Sequence, residues 1–273
     1  MSTLPCRPTP DDEASVTRTL TDLTSRLRTV TLEDVLATAE LQTRLDRKYV
    51  VPLELFATVL DQLGDQLSVL QIGALRVFRY ESVYFDTPTL TAYHQHAHGR
   101  RRRVKIRTRA YLDSGECLLE FKSVGARGET IKERYPYRLA SRHELDAAAH
   151  ALALDRVGHR ISTSTLEKVL TTAYHRTTLV DSTQSTRVTC DVNLRFDDRA
   201  GQQYGALAGL VVLESKSRGS DSPIDGVLRR LGSRPLSLSK YCVGMAVVDP
   251  RLPANRWNRE LRTHFGWVPR RWT

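Results

Sequence analysis

The segment Arg103-Val104-Lys105-Ile106-Arg107-Thr108-Arg109 alternates basic and uncharged side chains with a period of two. Successive side chains of a β-strand point to opposite faces, so this alternation predicts a strand with one basic face. No Asp or Glu occurs between Arg100 and Arg109. An exposed sheet face normally mixes both signs, because like charges repel across it. The uniform charge of this face therefore indicates an anionic partner.

Seven further segments carry short period-two patterns, which makes this strand one of about eight. Regular crossover helices do not separate them, so the pattern predicts an antiparallel sheet. Closing such a sheet removes its unpaired edges. The predicted fold is α+β, a closed antiparallel β-barrel of about eight strands that forms a basic tunnel with flanking helices. The candidate strands are Arg44 to Val51, Ala74 to Phe85, Arg101 to Tyr111, Glu116 to Lys122, Glu129 to Arg138, Thr172 to Val180, Arg187 to Phe196 and Leu210 to Ser217.

The chain divides into three predicted regions. Residues 1–43 form a polar lead-in, loosely ordered as far as Arg28 and followed by a short helix from Thr31 to about Leu41. Residues 44–250 form the strand-rich domain, and residues 251–273 form a basic, aromatic C-terminal tail. We expect the tryptophans of this tail to pack on the barrel rather than to contact nucleic acid or a membrane. The helical patterns inside the main domain are Pro52 to Leu63, His143 to Leu152 and Ser222 to Leu231.

Composition narrows the class of protein. The 273 residues include 41 Lys and Arg against 31 Asp and Glu, and the net charge of +10 favours an anionic partner. The four cysteines form no CxxC pair, so neither a zinc site nor a disulfide framework is predicted. No stretch approaches a signal-peptide core or the roughly 18 to 20 apolar residues of a membrane span. We therefore expect a soluble cytoplasmic protein without a transmembrane segment.

Charged side chains two residues apart recur on most of the other strands. This pattern is also typical of an ordinary half-solvated sheet, but the repeated positive sign favours an inward-facing lining. Arg binds phosphate oxygens through bidentate forks and Lys binds them as a point charge, while inward carboxylates would hold a divalent cation. Such a lining suits phosphoryl transfer, which depends on positioning and charge neutralisation. The sets with this spacing are Glu120 and Lys122; Lys132 and Arg134; Tyr174 and Arg176; Arg187, Thr189 and Asp191; and Glu214 and Lys216.

Several short motifs resemble the VTC domain, the polyphosphate polymerase domain of the vacuolar transporter chaperone complex and its bacterial relatives. That family lies within the triphosphate tunnel metalloenzyme superfamily, and the resemblance spans about Arg44 to Val248. Each motif alone is weak, but their order and spacing together are specific. They are Asp46-Arg47-Lys48-Tyr49, Tyr84-Phe85-Asp86-Thr87-Pro88, Arg103 to Arg109, Leu119-Glu120-Phe121-Lys122, Ile131-Lys132-Glu133-Arg134, Tyr174-His175-Arg176, Arg187-Val188-Thr189-Cys190-Asp191, Leu213-Glu214-Ser215-Lys216 and Ser239-Lys240-Tyr241.

The resemblance implies a function and a set of site residues. It implies a polymerase that adds the γ-phosphoryl group of ATP to inorganic polyphosphate, with Mn²⁺ or Mg²⁺ bound. Glu214 is similar to the family's metal-binding glutamate, with Glu120 and Asp46 as supporting carboxylates. The implied ligands of the phosphate chain are Lys48, Arg107, Arg109, Lys122, Lys132, Arg176, Arg187 and Lys240, and their implied neighbours in the lining are Arg134, Tyr174, Ser239 and Lys216.

One strand departs from the superfamily pattern. Many members open with Glu-x-Glu-x-Lys, whereas the corresponding residues here are Arg44, Asp46 and Lys48. The loss of a carboxylate weakens a site for a hard cation and leaves the basic lining intact. The phosphate site is therefore predicted more firmly than the metal site.

Three other functions remain open from the sequence. Water as the acceptor would make the protein a triphosphatase acting on inorganic triphosphate or nucleoside triphosphates. A decayed metal site would make it a non-catalytic sensor of polyphosphate or nucleotide. A nucleic-acid binder is disfavoured, because the basic side chains would face inward, where a duplex cannot enter. The sequence also leaves open the oligomeric state and whether a membrane protein partner receives the product.

Overall fold

The computed structural model describes residues 9–38, 45–162, 165–181, 186–205, 209–217 and 221–269, with the backbone alone at 37 and 38. Arg44, on which part of the predicted strand departure depends, lies outside these residues. Eleven strands form one sheet. They are β1 (Arg28–Val30), β2 (Leu45–Pro52), β3 (Ser68–Leu70), β4 (Phe78–Asp86), β5 (Val104–Tyr111), β6 (Glu116–Val124), β7 (Thr130–Pro136), β8 (Glu167–Asp181), β9 (Thr186–Asp197), β10 (Gln203–Tyr204) and β11 (Leu210–Ser217).

The main path of the sheet contains all eight predicted strands, in the order β2-β11-β9-β8-β4-β5-β6-β7. Every neighbouring pair along it is antiparallel, as predicted. Closure differs from the prediction, because no pairing within the described residues joins β2 to β7. The outer edge of β2 instead accepts a backbone hydrogen bond from Leu236 N to Lys48 O, at 2.8 Å. The hydrogen-bonded sheet is therefore an open path and not a closed barrel.

Eight α-helices accompany the described strands. The first corrects the prediction of a loosely ordered lead-in, because Thr9 and Asp12 form a reciprocal capping box that starts a helix. This motif was readable in the sequence. The helices are α1 (Pro10–Ser25), α2 (Leu32–Thr38), α3 (Leu53–Leu63), α4 (Thr91–Ala97), α5 (Ala147–Val157), α6 (Pro223–Arg230), α7 (Lys240–Val248) and α8 (Asn258–Phe265).

The two faces of the sheet are covered differently. On the outer face, Phe56 and Leu60 of α3 and Leu228 of α6 pack with Val188 and Leu213 of the strands. The inner face is defined here as the face that carries Tyr84, Arg107, Tyr174, Arg176 and Glu214. Helix α7 packs against part of this inner face, and all seven residues from Tyr241 to Val247 are buried. One helix, α7, therefore covers part of the inner face.

Gly244 determines how closely α7 approaches the sheet. A Cβ atom at this position would lie 2.6 Å from Phe196 Cδ1 and 2.7 Å from Leu170 Cδ2. Non-bonded carbon atoms do not come this close in real structures. Only glycine therefore allows α7 to approach the sheet this closely without a shift. The close contact places the first residue of α7, Lys240, and its N-cap, Ser239, beside the inner face.

The C-terminal segment contributes to the same core. Trp257 and Trp267 are buried with Phe265 in the cluster that contains α7, and Trp267 Nε1 donates a hydrogen bond to Ala246 O. The tryptophans of the described tail thus pack in the core that α7 forms with the sheet, as expected. Across the described ranges, no helix has both the length and the apolar character that a membrane crossing requires.

Candidate functional site

A cavity of about 190 Å³ lies between the inner face and the N-terminal end of α7. Seven Lys or Arg side chains and two Glu side chains contribute to its lining, so positive charge dominates it. The lining residues are Lys48, Tyr84, Lys105, Arg107, Arg109, Glu120, Lys122, Tyr174, Arg176, Val212, Glu214, Leu238, Ser239 and Lys240. They come from six strands and from the start of α7, so strands far apart in sequence build one site.

Strand β5 supplies three of these cations through its alternation. Lys105, Arg107 and Arg109 share the inner face, while Val104 and Ile106 are buried on the outer face. Register places Arg107 opposite Tyr84 of β4 and Glu120 of β6. Arg107 donates a hydrogen bond to the Tyr84 hydroxyl at 3.1 Å and to Glu120 Oε2 at 2.7 Å. The predicted basic face thus lines the cavity.

Glu120 is a buried carboxylate surrounded by four cations. Arg107 NH2 lies 2.6 Å from Oε2, Lys132 Nζ lies 2.9 Å from Oε1, and Arg134 and Arg109 lie at 3.3 and 3.7 Å. Burial raises the pKa of Glu120, but the charges of Arg107 and Lys132 outweigh burial and lower this pKa to about 2. Glu120 is therefore an ionised carboxylate that holds cations on both of its oxygens.

Asp191 forms a second, tighter cluster on β9. Arg176 holds it through two hydrogen bonds, at 2.6 Å to Oδ1 and 2.8 Å to Oδ2, and Lys240 Nζ lies 2.5 Å from Oδ2. Burial raises the pKa of Asp191, but Arg176 and Lys240 outweigh it and lower the pKa. The bidentate fork fixes the direction of Arg176. Asp191 thus links β8, β9 and α7 at the wall of the cavity.

Glu214 of β11 lies between two lysines. Lys48 Nζ is 3.2 Å from Oε1 and Lys216 Nζ is 2.9 Å from Oε2. Burial raises the pKa of Glu214, but these two charges outweigh it and lower the pKa well below its usual range. Burial also lowers the pKa of Lys216 to about 8. Glu214 is therefore an ionised carboxylate in the cavity wall.

The N-terminal end of α7 closes one side of the cavity. Ser239 caps this helix by accepting a hydrogen bond from Cys242 N, and its Oγ also lies 2.9 Å from Lys105 Nζ. Burial lowers the pKa of Lys105 to about 8. A helix N-terminus carries partial positive charge, which adds to that of Lys105 and Lys240. This side of the cavity thus favours an anion.

The structure brings most of the predicted site residues together. Five of the predicted residues, counting Asp46, are absent from the lining itself. Lys132 and Arg134 reach the site through Glu120, and Lys216 reaches it through Glu214. Arg187 is half-buried on β9, opposite Lys216 of β11. The predicted residues that line the cavity are Lys48, Arg107, Arg109, Glu120, Lys122, Tyr174, Arg176, Glu214, Ser239 and Lys240.

Three residues of the site were not among the predicted ligands. Lys105 and Tyr84 line the cavity, and Asp191 holds two of its cations. Lys105 was visible in the sequence, because it alternates with Arg107 and Arg109 on one strand. The ion pair between Asp191 and Lys240 was not visible, because 49 residues separate the two positions.

The residues present fit a metal ion only in part. The described ranges contain no group of three or more His, Cys, Asp and Glu side chains that could hold a metal ion. Mg²⁺ is commonly held by one or two carboxylates together with substrate phosphates and water. Glu214, with two lysine neighbours, fits that role better than Glu120, which has four cationic neighbours. Asp46, the other predicted supporting carboxylate, lies opposite Lys216 in the β2–β11 register.

Comparison with known families decides which family the chain represents. The family model of the VTC domain matches residues 43–249, well over half of the chain. The chain belongs to the VTC domain family. The resemblance stated from the motifs is thereby confirmed.

Solved structures similar to this VTC domain are distant. A candidate adenylate cyclase from Bacillus halodurans is 14% identical with a TM-score of 0.45, covering 72% of this chain and 94% of that one. A candidate adenylyl cyclase from Hippeastrum with a dominant triphosphatase activity is 13% identical with a TM-score of 0.45, covering 75% and 96%. At these values the likeness does not indicate what this chain acts on. Curated proteins give no match.

One motif of the VTC resemblance has a structural role. Asp86 is fully buried and accepts hydrogen bonds from the backbone N–H groups of Thr87, Ala92 and Tyr93 and from the Tyr241 hydroxyl. Asp86 thus holds α4 and α7 together behind the cavity.

Proposed function

We propose that this VTC domain is a metal-dependent polyphosphate polymerase that transfers the γ-phosphoryl group of ATP to a growing inorganic polyphosphate chain. The observation that carries the proposal is the lining of the cavity, where seven cationic side chains oppose two carboxylates. This excess suits a ligand with several negative charges along its length. A triphosphate next to the end of a phosphate chain has that charge distribution.

The proposed reaction needs no nucleophile from the protein. An oxygen of the terminal phosphate of the chain attacks the γ-phosphorus of ATP, and the bond from that phosphorus to the β–γ bridging oxygen breaks. ADP leaves with the bonding electron pair, and the chain is one phosphate longer. The protein contributes positioning and charge neutralisation, which dominate catalysis of phosphoryl transfer.

The cations differ in how they would serve this reaction. Arg107 and Lys122 project from adjacent strands into the cavity, where they would contact phosphate oxygens. Lys132 lies 2.9 Å from Glu120 with its side chain 25% exposed, so it would turn towards a phosphate at the expense of this ion pair. Arg176 and Lys240 stay fixed on Asp191 and would present their remaining N–H groups. The lining thus combines fixed and adjustable cations.

A divalent metal has a limited and definable part in the proposal. When bound, Mg²⁺ or Mn²⁺ would supply charge neutralisation to the phosphates. Glu214 would hold the ion, and Glu120 is the second predicted ligand. Phosphate oxygens and water would complete its coordination, as is usual for Mg²⁺.

Product analysis tests the proposal directly. Purified protein is incubated with ATP and Mn²⁺, and the products are separated on a gel stained for polyphosphate. We expect a ladder of chains longer than the input with the natural protein and no ladder with Glu214→Gln. Glu133→Gln, which changes a glutamate of β7 next to Arg156 and outside the cavity lining, is the matched control and should retain the ladder.

The other outcomes separate the alternatives. Released phosphate without any ladder would replace the polymerase by a triphosphatase. Triphosphate binding without turnover, with several metals tried, would indicate a sensor. A ladder that persists at full yield in Glu214→Gln would remove Glu214 from the site.

A further inference from the structure

Three tyrosines extend the inner face beyond the basic lining. Tyr174 lines the cavity, Tyr80 stands opposite it on β4, and Tyr111 stands opposite Tyr80 on β5. The rings of Tyr80 and Tyr174 are stacked at 5.4 Å, and those of Tyr80 and Tyr111 meet edge to face at 5.0 Å. These three residues, named here the tyrosine row, lead from the cavity across three strands.

The hydroxyls of the tyrosine row differ from those of the other tyrosines. The chain has ten tyrosines, and seven of them form side-chain hydrogen bonds with the protein through their hydroxyls. Within the described residues, the hydroxyls of Tyr80, Tyr111 and Tyr174 have no such bond. Tyr80 and Tyr111 are also half-buried, and Tyr80 packs at the edge of the core cluster that contains α7. Aromatic rings with available hydroxyls beside a cavity are suited to binding a ligand.

The charge beside the row indicates what kind of ligand it suits. Arg109 is the last cation on the inner face of β5, and Tyr111 follows two residues later, about 7 Å further along the strand. Arg176 lies over the rings of Tyr80 and Tyr174 at 5.1 and 5.2 Å, but Asp191 already neutralises it. The inner face thus changes from basic to aromatic at this point. A further phosphate would find few free cations here, whereas a flat uncharged group would find stacking surface.

We propose that Tyr80 and Tyr111 bind the nucleoside of a nucleoside triphosphate whose phosphates occupy the basic cavity. This inference rests on the proposed function and adds where the base and ribose lie. Stacking on aromatic rings tolerates any base, because every base has a π-face. The site therefore selects a nucleoside triphosphate over inorganic triphosphate, and it discriminates weakly among the bases.

Binding measurements on two ligands test the inference without turnover. Isothermal titration calorimetry with EDTA present gives the Kd of ATP and of inorganic tripolyphosphate for the natural protein and for Tyr111→Leu and Tyr80→Leu. We expect each substitution to raise the Kd of ATP about 5- to 10-fold, which is within the range for loss of one stacking contact. The Kd of tripolyphosphate should change less than about twofold, because the cations remain.

Two further variants serve as controls. Tyr135→Leu removes a half-buried tyrosine that packs on Phe121, on the outer face, and should leave both Kd values unchanged. Tyr111→Phe keeps the ring and removes only the hydroxyl, so it should raise the Kd of ATP less than Tyr111→Leu does. It also keeps the test valid if Tyr111→Leu fails to fold, since a twofold to threefold loss confined to ATP is still expected.

Each outcome of these binding measurements supports or overturns the proposed nucleoside site. Equal losses for ATP and tripolyphosphate, or no loss for either, would overturn the tyrosine row as a nucleoside site while leaving phosphate binding intact. Failure of the natural protein to bind tripolyphosphate would instead overturn the proposed function, and the inference with it.

Discussion

The two carboxylate clusters of the cavity wall show opposite ways of holding cations. Asp191 has hydrogen bonds on both oxygens, and its partners Arg176 and Lys240 have side chains only 12% and 15% exposed. Glu120 is equally buried, but its partners range up to Arg134, whose side chain is 54% exposed. Lys132 and Arg134, which pair with its Oε1, are both more exposed than the partners of Asp191. The Asp191 cluster is a buried clamp, whereas the Glu120 cluster lies partly in water.

This difference indicates which cations can leave their carboxylate and bind a phosphate. A buried charge pair with complete hydrogen bonds loses much when one member is removed, because the other charge is left unpaired. A cation near water loses less free energy when its partner is removed, and it can turn to a phosphate. We therefore expect the Asp191 cluster to affect folding most and the Glu120 cluster to affect ligand binding most.

The largest expected effect is on turnover. Arg107→Ala and Lys122→Ala each remove a cation from the cavity without disturbing Asp191, so we expect activity to fall at least about 1000-fold while the fold is retained. Arg156→Ala, on the outer side of the molecule beside Glu133, is the matched control and should keep full activity. Steady-state rates and circular dichroism measure the two properties, and full turnover in both cavity variants would contradict the site assignment.

The next effect is on stability and contrasts the two carboxylates. Asp191→Asn leaves Arg176 and Lys240 buried with a neutral partner, and we expect a loss of about 3 kcal/mol in the free energy of unfolding. Glu120→Gln should cost about 1 kcal/mol, because water reaches several of the cations that it releases. Urea denaturation of both variants provides the comparison. Equal losses would show that the Glu120 cluster is as rigid as the clamp.

A smaller effect follows from the pH dependence of one lysine. Burial lowers the pKa of Lys132 to about 8, so this side chain is charged below pH 8 and becomes neutral above it. Arg176 keeps its charge throughout, because the Asp191 charge outweighs burial and raises its pKa. Since phosphate binds the charged form, the affinity for tripolyphosphate should fall about 10-fold between pH 7 and 9. Calorimetric titration across this range measures it. Burial also lowers the pKa of Lys105 and Lys216 to about 8, so Lys132→Arg should flatten the profile only in part. An unchanged slope would mean that Lys132 does not bind the phosphate.

The smallest effect concerns the most exposed member of the Glu120 cluster. Exposed ion pairs contribute little, about 0 to 1 kcal/mol. We therefore expect Arg134→Ala to weaken tripolyphosphate binding about threefold or less and to leave the urea midpoint unchanged. A loss as large as that of Arg107→Ala would mean that Arg134 moves into the cavity when ligand binds.

Most of the strand framework was predictable because period-two alternation is a local signal. The strand from Val104 to Tyr111 shows it throughout, with alternate residues buried. The three-residue strands β1 and β3 and the two-residue β10 are too short to show any period. Helix α7 was missed for another reason. Its sequence is apolar on every side, because it is buried all round, and such a segment has no amphipathic pattern.

The site was predictable as a set of cations but not as a network. Alternation and the VTC motifs identified Arg107, Lys122 and Glu214, because each lies on the inner face of its own strand. The pairing of Arg176 and Lys240 with Asp191 depends on how α7 docks, which no local pattern encodes. The predicted closure of the sheet has no strand pairing behind it among the described residues, where the outer edge of β2 bonds to Leu236 and not to β7.

Gly244 affects the depth of the cavity indirectly, through the position of α7. The backbone that carries Ser239 and Lys240 belongs to the start of α7, and the missing Cβ of Gly244 lets this helix rest close to the sheet. A single methyl group added there would act as a wedge, felt about one turn away at the phosphate-facing end. The volume offered to the ligand is thus adjusted from within the apolar core, at a residue that no ligand touches.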